Sequence, residues 1–230
     1  MARRSATGPL LRATTWVSLV MLLVGCTGGP SATPSPATFD PAAAPVIVDE
    51  ATALGALLGP WRAEPIPLWP ALLAEIARDC PASMRPFPAV PLVAVDARGG
   101  GRLQALFAGA GRQAACYDMT IDRQGAVGAM GGGMTSTGDG QSPVGARALR
   151  SAGVSSSAIG ADRNAITSSV FIGEAGAEIA TVVIAMPGQA RMRATLANGW
   201  YLFWWPGAIP AGTKVIGLDA LGQEMATSDP

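Results

Sequence analysis

Histidine is absent from all 230 residues of the chain. That single absence removes Ser-His-Asp and Cys-His catalysis, imidazole ligation of metals and the side chain that titrates nearest neutral pH. Lysine is almost missing too, since of the 16 basic residues only Lys214 is not arginine. Schiff-base chemistry and P-loop phosphate binding are left with one residue to carry them. Charged residues make up only 14% and sum to a formal charge of zero. No basic face is expected, and nucleic acid is therefore excluded as a main partner. Of the three cysteines, Cys80 and Cys116 of the folded region, without histidine beside them, make half a zinc site at best, so neither a metal nor a cofactor is expected. What the chain does have is 49% hydrophobic residues, enough at this length for one folded domain.

The first twenty-six residues carry an address. Arg3, Arg4 and Arg12 form a basic start, and Ala13 to Val24 then run without a charge. That run suits the apolar region of a signal peptide and falls short of the roughly 20 residues that span a bilayer. It ends Leu23-Val24-Gly25-Cys26, which resembles the lipobox of bacterial lipoproteins. The resemblance implies cleavage before Cys26, a diacylglyceryl group on its thiol, and a location on the cell membrane facing away from the cytoplasm. Two acyl chains hold a protein stably at a bilayer where one holds it only reversibly. Cleavage would also remove the three arginines and leave the mature chain at about −3, a poor match for anionic headgroups.

Three segments follow from this reading: a signal peptide over 1–25, a lipidated tether over 26–45 and one folded exported domain over 46–226. The tether, rich in Pro, Ala, Ser, Thr and Gly, cannot bury enough apolar surface to offset its ordering entropy. In an exported domain the two remaining cysteines, Cys80 and Cys116, read as one disulfide.

Patterning divides the domain in two. Asp49 is placed to cap a helix through Leu58 that ends at Gly59-Pro60, and a second helix is expected from Pro67 or Pro70 until Pro81 stops it. Gly59 to Pro67 should be irregular. From Val90 the texture is β. Leu92–Asp96, Arg102–Ala108 and Cys116–Asp122 read as strands, with Tyr117, Met119 and Ile121 toward the core. Gly125 to Gly145 reads as a long mobile loop. Five further strands are expected at 165–172, 178–186, 190–197, 199–205 and 213–219, turned by Pro187-Gly188 and Asn198-Gly199, with Leu221-Gly222 turning a last short pair. The fold class is α+β: mainly antiparallel β, meander or sandwich-like, with two N-terminal helices.

The run from Gly173 through IATVVIAMPGQARMRATLANGWYLFWWPG to GLDALGQE, with VAVDARGGGRLQALFAGAGRQAAC upstream, resembles a group of uncharacterised exported proteins, mainly actinobacterial. Coverage runs from about residue 90 to 226. Met186-Pro187-Gly188 departs from the group, in which an acidic residue often precedes the glycine. The resemblance implies a recurrent folded module and brings no activity with it.

Carboxylates are the one catalytic type in supply. Asp118 and Asp122, four residues apart on one strand, lie about 13 Å apart, beyond the spacing of a glycosidase pair. Ser155, Ser156 and Ser157 lack a nucleophile elbow. The sharper feature is Trp200 to Trp205, which admits two readings. It is a central strand buried on both faces, or else Trp200 and Trp204 with Arg191 and Arg193 form an exposed platform for an envelope glycan or a protein partner. The function expected is a non-catalytic binding or envelope-associated lipoprotein domain, with a carboxylate-dependent exported hydrolase as the alternative.

Overall fold

Asp49 caps the first helix, α1 (Glu50–Leu58), as its side chain accepts a bond from the Thr52 amide at 3.1 Å. A bond from the Thr52 hydroxyl and, after it, the one from the amide hold the Asp49 carboxyl below the usual carboxylate range. The second helix, α2 (Pro70–Ser83), starts on a proline, whose missing N–H costs nothing in a first turn. It does not stop at Pro81, as the sequence suggested, but runs two residues further. So close to a helix end the proline removes a single i→i−4 bond, which packing of Leu72, Ile76 and Cys80 into the core outweighs. The computed structural model describes residues 49–83, 90–109, 112–128, 131–136, 142–157 and 168–230. The expected signal peptide and tether, with Cys26, lie outside them.

Among the described residues the strands form three sheets. The first is a meander of β1 (Leu92–Gly99), β2 (Arg102–Gly109) and β3 (Arg112–Ile121), with β4 (Val127–Gly128) and β5 (Gly131–Ser136) both pairing with β3. Gly100 and Gly101, with φ of 69° and 66°, make the tight turn between β1 and β2. The 125–145 stretch is thus not all loop. Its glycines hid β5 because they carry no side-chain alternation, while their main chain pairs from Tyr117↔Gly131 to Arg112↔Ser136.

The second sheet takes β6 (Leu149–Ser157), β7 (Ser168–Ala175), β10 (Thr195–Ala197) and β11 (Trp200–Trp205) in the order β10-β11-β7-β6. The third takes β8 (Thr181–Ala185), β9 (Met192–Arg193), β12 (Lys214–Leu218) and β13 (Glu224–Ser228) in the order β13-β12-β8-β9. All pairings are antiparallel. The meander therefore holds for the first sheet, whereas β11 returns to β7 and β12 to β8. Strand β6 had no counterpart in the sequence reading, because LRSAGVSSS offers only small and polar residues to a pattern search.

Layering follows from which side chains meet. Leu103, Ala105 and Phe107 of β2, with Met119 and Ile121 of β3, pack against Leu57 of α1 and Leu72 and Ile76 of α2. The opposite face of the same sheet brings Val93, Ala94, Leu106 and Ala108 against Val170, Ile172, Leu202 and Trp204 of the second sheet. The second sheet's other face, with Phe171, Tyr201 and Phe203, meets Val182, Ile184, Met192 and Val215 of the third. The second sheet is the middle layer, which is why β11 can be aromatic on both sides.

Candidate functional site

Strand β1 places Asp96 and Arg98 two residues apart, hence on one face, and that face is dry. Both side chains are fully buried, and Arg98 Nε donates to Asp96 Oδ2 at 2.8 Å. Each side-chain nitrogen of Arg98 and each carboxylate oxygen of Asp96 has a partner. The same Asp96 oxygen accepts the Trp204 amide at 2.9 Å, and Asp96 Oδ1 accepts the Thr195 hydroxyl at 2.7 Å. Arg98 Nη1 and Nη2 donate to the carbonyls of Ala63 and Arg193. Its guanidinium stands 4.4 Å from the centre of the Phe203 ring. A buried pair so completely bonded is an anchor, and deleting one partner would strand the other at a cost of about 3–5 kcal/mol.

The anchor exists because a strand breaks. Residues 190–197 were expected as one strand beside the aromatic one, but the chain bends at Ala194, whose amide donates to Val182. Before the bend β9 pairs with β8 in the third sheet, and after it β10 pairs with β11 in the second. Strands that switch sheets make the corners of stacked sheets. Strand β10 covers β11 only as far as Leu202, so the Trp204 amide would lack an in-plane acceptor, and Asp96 supplies it.

Along this corner β1 runs antiparallel beside residues 193–198 in a constant register, joined by side chains instead of a main-chain ladder. Asn198 Nδ2 donates to the Val93 carbonyl at 3.3 Å, Thr195 reaches Asp96, and Arg98 reaches Arg193. A groove of about 570 Å³ opens on this seam, within the range of small-ligand sites. Its floor is Val93 to Val95 and its walls are Pro65 to Leu68 on one side and Arg193 to Ala197 on the other, with Ala180 and Thr181 at the rim. The lining is aliphatic apart from the hydroxyls of Thr181 and Thr195 and the cation of Arg193.

The sequence-predicted residues divide on this geometry. Trp204 is 2% exposed, packed between the first and second sheets with its ring edge-on to Trp61. It offers no face to a ligand, and the reading of β11 as a strand buried on both faces describes it. Trp200 is half-buried beside the same core. Arg191 and Arg193 are exposed, but Arg193 belongs to the third sheet and pairs loosely with Glu64 at 3.6 Å, so it does not join an aromatic platform on β11. Cys80 is buried and disulfide-bonded, while the side chains of Cys116 and Asp118 lie outside those described. Asp122 organises a turn by accepting the amides of Gln124 and Ala126. Ser156 meets Ser169 across two strands at 3.1 Å, and no described side chain is bonded to it as a base. Sequence reading missed Asp96, Arg98 and the groove; the one available signal was two opposite charges at i and i+2 inside an otherwise apolar strand.

Compared with protein-family models, curated proteins and solved structures, the chain finds no match.

Proposed function

We propose that the chain is a lipid-anchored protein facing away from the cytoplasm, whose folded domain binds a partner without catalysis. Anchoring rests on the Leu23-Val24-Gly25-Cys26 ending of the apolar N-terminal run. Among the described residues no helix is long and apolar enough to cross a membrane, so the lipid is the attachment this reading requires. The binding role rests on the seam groove, an open aliphatic cavity that no described carboxylate lines. Other described carboxylates are engaged elsewhere: Glu75 with the Val127 amide, Glu174 with Arg150, Asp219 with the amides of Leu221 and Gln223. An aliphatic groove favours a protein or peptide partner over a glycan, since sugars ask for exposed aromatic faces and Trp204 is buried.

Two variants test the two halves. Labelled palmitate should enter the wild-type chain and not Cys26→Ser; equal labelling of both would remove the anchor. Ala180→Trp fills the groove from its exposed rim and should abolish retention of the domain on envelope material while leaving its melting temperature in place. Undiminished retention would remove the groove from the binding role.

A further inference from the structure

The seam groove is aliphatic along its length and charged at one end. Hydrogen bonds close its floor, with Asn198 on the Val93 carbonyl and Thr195 on Asp96. Polar groups around it are engaged too. The Ala194 amide donates to Val182, the Ile66 amide donates to Ala97, and the Arg193 carbonyl accepts from Arg98. Pro65 and Pro67 in the wall have no N–H to offer. A peptide lying here would bury amides that find few partners, a desolvation cost that an alkyl chain does not carry. Leu68, Leu73, Val95 and Leu196 line the groove half-buried, each with apolar surface still in water. An alkyl chain removes that surface from water and asks for no hydrogen bond in return.

The charge has a fixed place. Arg98 reaches the Arg193 carbonyl at one limit of the seam, and Asn198 reaches Val93 at the other. Arg193 therefore stands away from the Ala197 end, and among the described residues the lining carries no other charge. Its side chain is exposed, and its pair with Glu64, also exposed, is 3.6 Å long. Such a pair has small net value, and a second carboxylate can replace it. An aliphatic trough with one cation at its mouth complements an amphiphile whose single polar group is an anion.

We propose that the groove holds a free fatty acid, its alkyl chain laid along Leu68, Val95 and Leu196 and its carboxylate on Arg193. This rests on the groove being the binding site, as read above, and names a lipid as its ligand; a protein segment is the rival occupant.

The test uses the full chain in phosphatidylcholine nanodiscs and two photoactivatable probes, palmitic acid and hexadecanol, each with a diazirine on its chain. Irradiation should label peptides containing Leu68, Val95 or Leu196, with the acid favoured over the alcohol about threefold. Arg193→Gln should remove that preference and leave labelling by the alcohol unchanged, while Arg193→Lys should keep it. Glu64→Gln takes away the competing carboxylate and should raise labelling by the acid alone. Ala180→Trp should abolish groove labelling by both probes; labelling that it does not reduce comes from the bilayer and overturns the site. Equal labelling by acid and alcohol, unmoved by Arg193→Gln, overturns the fatty acid and leaves a neutral lipid chain in the groove. No groove labelling, with envelope retention still lost in Ala180→Trp, overturns the lipid and leaves a protein partner. No groove labelling, with retention unaffected, overturns the groove's role altogether.

Discussion

At the scale of single residues, the molecule is held by a few polar groups in apolar surroundings. Asp96 substitutes for a strand: it accepts the Trp204 amide where β10 has ended. Tyr201 sits in the middle layer with its ring laid over Gly173, where a Cβ would collide with the phenol. Burial pushes its phenol up from 10.0 to about 12, and the neighbouring Ser151 side chain offsets only part of that without making a hydrogen bond to the buried hydroxyl. The protonated form is the one the fold accepts. Stability from this group is therefore complete below pH 10 and is lost as pH rises toward about 12, in all about 2–3 kcal/mol. Alkaline denaturation with phenolate absorbance should show one tyrosine ionising late and together with unfolding. Tyr201→Phe should flatten the loss of stability over that window; an unchanged slope would mean that another group controls it.

Among the elements, the hairpin of β10 and β11 carries the strongest local signal in the chain. Asn198 has φ of 52° and Gly199 of 74°, the pair of positive angles a two-residue hairpin turn requires. Asn198 also bonds the Val93 carbonyl, so it serves the turn and the seam together. Asn198→Gly keeps the turn and loses the bond, at about 1 kcal/mol; Asn198→Ala loses both, at about 2 kcal/mol. Chemical denaturation of the two variants checks the difference, and equal costs would show that the seam bond alone matters. Local signals like this one were legible: the Asp49 cap and the Asn198-Gly199 turn both stand where the residues placed them. Strands β5 and β6 were not legible, because glycine and serine leave no side-chain period to read even when the main chain pairs fully.

For the whole molecule, Cys80 of α2 is buried in the core that the helices share with the first sheet, and it is disulfide-bonded. We propose Cys116 as its partner, as the sequence suggested. Main-chain positions on β3 put Cys116 opposite Ala105 of β2, a residue of that same core. A Cys80–Cys116 bridge closes a loop that would stabilise the fold by about 4 kcal/mol in the chain-entropy model. Mass spectrometry of alkylated, non-reduced protein should find no label on either cysteine. Reduction, or Cys116→Ser, should lower the denaturation midpoint accordingly. Label on Cys116 in the native protein would exclude this pairing.

The sequence by itself determined what depends on neighbours along the chain: helix caps, glycine turns, strands with apolar alternation, and the α+β class with antiparallel pairing. It also carried the export and lipidation motif as an expectation, since that is read from a short linear stretch. Only the tertiary structure decided that the aromatic strand is a middle layer, because burial on its second face is conferred by a sheet some hundred residues earlier in the chain. The same holds for the seam groove. It arises where one strand breaks at Ala194 and leaves two edges in register, joined by Asp96, Arg98, Thr195 and Asn198. Hydrogen bonds between residues nearly a hundred positions apart have no period or spacing, so no local pattern in the chain can announce them.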